Sequence, residues 1–186
     1  MPDIVLETER LVLRTMEGED DLDLFMRHLN SPAIMRYLGG PLERHQVAEK
    51  FARNAATYAG EGFAFLFLIE KGTGELVGQA GLKRVDAQGA KNPGDMEIGW
   101  IVREDRWRRG YASEAVRALL ERAFIRHSAR LVCALTSESN RPSWALMEKL
   151  GMERRADLDF DDPRFGEDDN PTKVYAITCE TWEKTR

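Results

Sequence analysis

Apolar positions along the chain follow two periods, and together they predict an alternation of strands and helices. Arg10 to Arg14 alternates Leu11 and Leu13 with polar neighbours, which predicts a strand, and Asp20 to Leu29 spaces Leu22, Phe25, Met26 and Leu29 along one helical face. A short helix is expected around Ala33 to Leu38, stopped by Gly39, Gly40 and Pro41, and a longer one over Glu43 to Tyr58, ended by Gly60. Phe63, Phe65, Phe67 and Ile69 alternate ahead of Lys71-Gly72-Thr73-Gly74, and Glu75 to Arg84 resumes as a strand, so the pair reads as a hairpin. The polar run Asp86 to Asp95 is a surface loop, and Met96 to Arg103 is strand-like, with Ile98, Trp100 and Val102 on one face.

The clearest helix follows. Ala112, Ala115, Val116, Leu119, Leu120, Ala123 and Phe124 recur at intervals of three and four, while Glu114, Arg117, Glu121 and Arg122 fill the opposite side. It leads into a strand over Leu131 to Thr136, so the unit predicts a right-handed crossover with parallel strands. Pro142 to Leu150 is a short helix closed by Gly151, and strand candidates around Glu153 to Phe160 and Lys173 to Trp182 flank the acidic loop Asp161 to Asn170. No repeat or low-complexity linker interrupts this order, so the expectation is one mixed α+β domain over residues 1–186.

Composition narrows the function classes. The chain has 186 residues, 42% of them hydrophobic, enough for one substantial core, and 32% charged with both signs interspersed. A net charge of -5 gives little reason to approach a polyanion, so direct nucleic-acid binding is not expected. Cys133 and Cys179 lie in apolar runs with no metal-knuckle spacing, which suits a reducing compartment. The first residues lack a basic segment followed by an apolar core, and no apolar run approaches the roughly 20 residues that span a bilayer. A cytoplasmic protein with no membrane association is expected.

One segment carries candidate chemistry. Arg106-Trp107-Arg108-Arg109-Gly110-Tyr111-Ala112 lies between a strand and the strongest helix, where a turn presents unpaired amide N–H groups at the positive end of a helix dipole. Gly110 lets a phosphate approach the backbone, Ala112 keeps the first turn slim, and Arg106, Arg108 and Arg109 add positive charge. An ordinary helix start with solvated arginines has the same sequence. The Gly-Lys-Ser/Thr ending of a nucleotide P-loop is missing.

Met96-Glu97-Ile98-Gly99-Trp100-Ile101-Val102, Trp107 to Ala112, Glu114-Ala115, and Asn140-Arg141-Pro142-Ser143 running to Leu150-Gly151-Met152 resemble, in order and spacing, the core of GNAT acetyltransferases. Leu6 to Arg14 and Met35-Arg36-Tyr37-Leu38 resemble the branch that includes the RimJ and RimL ribosomal-protein N-terminal acetyltransferases. The resemblance implies a mixed, mostly antiparallel central sheet, flanked by helices and splayed between its fourth and fifth strands, which admits the pantetheine arm of acetyl-CoA like an extra strand. Backbone from Trp100 through Ile101, Val102 and Arg103 would meet that arm, and the pyrophosphate would rest on amides from Arg108, Arg109, Gly110, Tyr111 and Ala112, with Ser113 close behind. The family pattern often has Gln or Arg three residues before the glycine, where this chain has Trp107.

Acetyl transfer needs a neutral amine, a polarised carbonyl and a proton for the departing thiolate. Neutralising a lysine-like amine at pH 7 costs about 4–5 kcal/mol, an α-amine only about 1–1.5 kcal/mol. The resemblance makes Glu97 the candidate base; as a bare sequence feature it is a charged strand residue. Asn140 would hold the pantetheine arm and Ser143 would serve the thiolate, although both residue types are also favoured helix caps. Many family members carry a tyrosine acid four residues beyond Ser143, where this chain has Met147. Trp144, Met147 and Leu150 recur at helical spacing and read as core. Tyr37 and Trp100 are candidates for lining the acceptor pocket, and the acidic loop for attracting a cationic acceptor.

The implied activity is transfer of acetyl from acetyl-CoA to a primary amine, on a peptide N-terminus or a small molecule, with no metal. A silent coenzyme A-binding module and a nucleotide-binding protein are the competing classes. The oligomeric state, a homodimer included, is left open.

Overall fold

The structure is a computed structural model that describes residues 1–185. It opens on a hairpin, β1 (Ile4–Glu7) and β2 (Leu11–Arg14), paired antiparallel with Glu7 opposite Val12. Helix α1 (Gly18–His28) places Glu19, Asp20 and Asp21 in its first turn, where the helix dipole favours negative charge. Helix α2 (Pro32–Met35) is capped by the Ser31 hydroxyl, which accepts from the Ile34 N–H, and a 3-10 turn over Arg36–Leu38 ends at Gly39. Helix α3 (Arg44–Glu61) starts with a capping box between Glu43 and Gln46. It runs past the expected stop at Gly60, because Gly62, at φ 75°, is the residue that adopts the left-handed cap and donates to the Tyr58 carbonyl at 2.9 Å.

The remaining elements are β3 (Phe65–Glu70), β4 (Leu76–Arg84), β5 (Met96–Val102), α4 (Tyr111–Ile125), β6 (Leu131–Thr136), α5 (Arg141–Lys149), β7 (Glu153–Arg154), β8 (Lys173–Thr178) and α6 (Cys179–Thr185). The eight strands are ordered β1-β2-β3-β4-β5-β6-β8-β7, a mixed sheet with flanking helices, as expected for an α+β fold. The chain forms two compact units, Met1–Gly81 with Trp100–Ala118 and Leu82–Gly99 with Leu119–Arg186. Strands β4 and β5 and helix α4 each begin in one and end in the other.

In the first unit β1 to β4 form successive antiparallel pairs, with Leu11 opposite Glu70 and Phe65 opposite Gly81. A side chain at Gly81 would put its Cβ 2.2 Å from the Phe65 Cα, so glycine is what lets the predicted hairpin close. The core collects Leu22, Phe25, Leu29, Met35, Val47 and Phe67, with Phe51 edge-on to Phe25 and Phe67 at centroid distances of 5.9 and 6.0 Å. Each such side chain contributes about 1.5–3 kcal/mol by leaving water.

In the second unit β5 pairs parallel with β6 through Met96↔Val132 and Glu97↔Cys133, as the predicted crossover requires, and β6 pairs antiparallel with β8. Val85, Cys133, Phe160, Val174 and Ala176 form one core cluster in this unit. The expected strand Glu153 to Phe160 is reduced to β7, a 3-10 turn over Ala156–Leu158 and a bridge from Phe160 to Thr172. Likewise β8 stops before Trp182, because the Thr178 hydroxyl accepts from the Thr181 N–H and starts α6.

Candidate functional site

In the first unit β5 ends at Val102, and a 3-10 turn, Glu104–Arg106, leads into the arginine-rich segment before α4. Arg108 has φ 61° and Gly110 φ 83°, so two left-handed residues lie within three positions. For a residue with a Cβ this conformation costs roughly 1–2 kcal/mol, and it persists where surrounding structure imposes it. Here the turn is tied on both sides. The Trp107 indole N–H donates to the Val102 carbonyl at 2.7 Å, and Arg10 Nη1 donates to the Arg109 carbonyl at 2.9 Å.

Arg10 is itself fixed by α4. Its Nε and main-chain N–H donate to Glu114 at 2.6 and 2.8 Å, the Thr8 hydroxyl donates to the same carboxylate at 2.5 Å, and the guanidinium stands 4.6 Å from the centre of the Tyr111 ring. Burial alone pushes the Glu114 carboxyl up, yet the hydrogen bonds from Thr8 and Arg10 hold it below its ordinary value. The Tyr111 hydroxyl donates to Glu70, which lowers the carboxyl and raises the phenol.

The first helical bond of α4 runs from the Glu114 N–H to the Gly110 carbonyl at 3.0 Å, so the N–H groups of Tyr111, Ala112 and Ser113 precede it. Arg106 turns aside to Glu70 and Glu75, whereas the exposed guanidinium groups of Arg108 and Arg109 have no ion pair among the described residues. What results is a run of N–H donors with two uncommitted cations beside it, chemistry suited to a polyanionic phosphate group.

The edge of β5 divides its residues. The Arg103 N–H donates to the Val77 carbonyl at 3.0 Å, and a Cβ on Gly78 would stand 2.5 Å from the Ile101 oxygen, so Ile101 and Arg103 address β4. Because backbone groups alternate along a strand, those of Trp100 and Val102 face the other way. The Arg103 side chain also turns to β4, donating to the Leu76 carbonyl at 2.8 Å. Trp100 is half-buried on β5, and Tyr37 sits on the separate 3-10 turn after α2, its ring 5.2 Å from the Arg36 guanidinium.

Glu97, Asn140 and Ser143 belong to the second unit. Glu97 is 9% exposed on β5, opposite Cys133, and its Oε2 lies 3.4 Å from Lys83 Nζ, longer than a well-formed charged hydrogen bond. Burial raises the Glu97 carboxyl above its ordinary value, while Lys83 pulls against that rise. Asn140 occupies the N-cap position of α5 without making a capping hydrogen bond, so the cap role open to it in the sequence is not realised, and its side chain has no hydrogen-bond partner among the described residues. Ser143 is half-buried in the first turn of α5; Met147 and Leu150 are buried, as their spacing predicts, but Trp144, read with them as core, is only half-buried because its indole N–H reaches out to the Glu138 carbonyl.

Sequence reasoning did not single out Thr8, Arg10 or Lys83. Arg10 and Glu114 are 104 residues apart, and no periodicity links such positions; their one signal was membership of two stretches that resemble GNAT enzymes.

With the mixed sheet and this turn in place, comparison with known proteins gives the lineage: the chain belongs to the GNAT acetyltransferases, residues 10–153 matching the family described as Acetyltransferase (GNAT) domain. It is 35% identical over 147 residues to the uncharacterized protein YkkB of Bacillus subtilis (strain 168), covering 79% of this chain and 84% of that one. It is 30% identical over 151 residues to the uncharacterized N-acetyltransferase p20 of Bacillus licheniformis, covering 80% and 82%. Among solved structures it is similar to an acetyltransferase from Agrobacterium tumefaciens, at 28% identity and a TM-score of 0.73 over 92% of each chain. Among the described residues no helix is long and apolar enough to cross a membrane.

Proposed function

We propose that this protein moves the acetyl group of acetyl-CoA onto a primary amine, a protein N-terminus or a small-molecule amine, in a ternary complex. The observation that carries the proposal is the left-handed turn at Arg108 and Gly110, held by Arg10 and Trp107 ahead of the free N–H groups of α4. Strain maintained around a row of outward donors is an expected feature of an anion-binding site.

Acetyl-CoA supplies a thioester acetyl group and a pyrophosphate. The N–H groups of Tyr111, Ala112 and Ser113, with the guanidinium groups of Arg108 and Arg109, hold the pyrophosphate, and the absence of a side chain at Gly110 leaves room for it. The edge of β5 at Trp100 and Val102 that faces away from β4, where the Val102 carbonyl already accepts from the Trp107 indole, and the amide of Asn140 bind the amide-bearing arm. Glu97 takes the acceptor's proton, directly or through water. Ser143 is placed to serve the departing thiolate, which at an ordinary thiol pKa of about 8.5 leaves readily in any case. Tyr37 and Trp100 line the acceptor side. The resemblance to RimJ-like enzymes favours an α-amine, which is also the acceptor that needs least from a base.

The decisive test is Gly110→Glu. It puts bulk and negative charge against the donors, so calorimetry is expected to show acetyl-CoA affinity falling at least a hundredfold, beside a melting temperature lowered by only about 2–8 °C through the strain of a side chain at φ 83°. Normal affinity in a folded variant places the cofactor elsewhere. Free-thiol release across peptides, polyamines and aminoglycosides then identifies the acceptor class.

A further inference from the structure

Lys83 enters the second unit near the end of β4, pointing its ammonium between two carboxylates. Its Nζ is 2.5 Å from Asp86 Oδ1 and 3.4 Å from Glu97 Oε2. Oε2 of Glu97 is buried and meets the ammonium at ion-pair rather than hydrogen-bond geometry.

We propose that Lys83 is a positioning residue for Glu97: gripped by Asp86, its ammonium stands beside Oε2 and orients the carboxylate that receives the acceptor's proton. The proposal rests on the reading of Glu97 as the base.

The other groups facing this carboxylate set the sign of each perturbation. Burial drives Glu97 toward its neutral form; Lys83 opposes this, Asp86 reinforces it, and Arg164 opposes it from the loop after β7. Arg164 is held there by the buried Asp162, through Nη2 at 2.6 Å and its main-chain N–H at 3.0 Å. Across the strand pair Cys133 is pushed up to about 12 by burial and by Glu97, so the thiol stays neutral and adds no charge. Lys83 is the only cation within ion-pair distance of Glu97 among the described residues. Removing its charge therefore raises the carboxyl's proton affinity, and removing the charge of Asp86 lowers it.

The experiment is a carbon-13 NMR titration of the Glu97 carboxyl in the full-length protein, assigned with Glu97→Gln, for the wild type, Lys83→Met, Lys83→Arg and Asp86→Asn. Lys83→Met is expected to raise the Glu97 midpoint by about one pH unit or more, a tenfold change in proton affinity. Lys83→Arg restores most of it, and Asp86→Asn shifts it the opposite way. The acid limb of the turnover profile moves in the same directions, with the KM for acetyl-CoA unchanged. A midpoint that stays put in Lys83→Met and Asp86→Asn, or moves the same way in both, overturns the proposal. Turnover of Glu97→Gln decides the base separately: full activity at every pH removes Glu97 from the chemistry, while the titration still reports whether Lys83 controls it.

Discussion

Arg10 reaches across 99 positions of chain to donate its Nη1 hydrogen to the Arg109 carbonyl at 2.9 Å. An arginine beside β2 thereby sets the shape of a turn before α4. Replacing it with methionine keeps an apolar stem and removes the side-chain donors, leaving the main-chain N–H bond to Glu114. Arg10→Met is expected to weaken acetyl-CoA binding about tenfold, roughly 1.4 kcal/mol, and to destabilise the fold by about 1–2 kcal/mol through the charged hydrogen bond lost from Nε to Glu114. Calorimetry and chemical unfolding separate the two effects. An affinity within twofold of wild type means that Trp107 alone suffices to hold the turn.

Glu114 gives the same assembly a pH signature. Its carboxyl is held below the ordinary value, so its contribution to stability is present above the unfolded-state pKa of about 4.3 and is lost as pH falls through the folded value. Glu114→Gln is therefore expected to melt about 2–4 °C below wild type at pH 7, with the gap closing below about pH 4. A gap of constant size across that range assigns the effect to packing.

For Glu97→Gln the expectation concerns rate. A base matters most when little of the acceptor is neutral, so turnover falls most at low pH, and the ratio of wild type to variant shrinks as pH rises toward the acceptor's own pKa. Cofactor affinity stays within about twofold of wild type by calorimetry, since the carboxylate is assigned to the acceptor's proton. Equal turnover of the two proteins at pH 6.5 removes the base role.

The two cysteines are expected to differ in reactivity. Cys133 is buried and its thiol is pushed up to about 12, whereas Cys179 is partly exposed at the start of α6. A thiol-reactive disulfide reagent at pH 8 should titrate one group rapidly in the native protein and both after denaturation. Two fast groups in the native state contradict the packing of β6.

The fold was most legible where periodicity and burial coincide. Leu131 to Thr136 was read to the residue, and the apolar stripe from Ala112 to Phe124 foretold α4, because both elements are apolar over their whole buried faces. The ends of elements were less visible. Nothing in composition says that Gly62 rather than Gly60 ends α3, and Thr178 breaks β8 by a side-chain hydrogen bond that alternation does not record. In the candidate site, the turn at Gly110 was readable as a glycine before a helix. The support beneath it was not, since Thr8, Arg10 and Glu114 meet only after the sheet has formed. The orientation of β5 was equally hidden: a strand pattern tells which faces residues occupy, and only the pairing of Arg103 with Val77 tells which edge is left open.

Arg108 holds a conformation in which glycine would be more comfortable. Arg108→Gly therefore relieves strain while removing a cation from the turn, so laboratory evolution for heat tolerance alone would drift toward glycine at this position. Evolution under demand for acetyl transfer would keep arginine, and the residue recovered from each regime reports which demand shaped the turn.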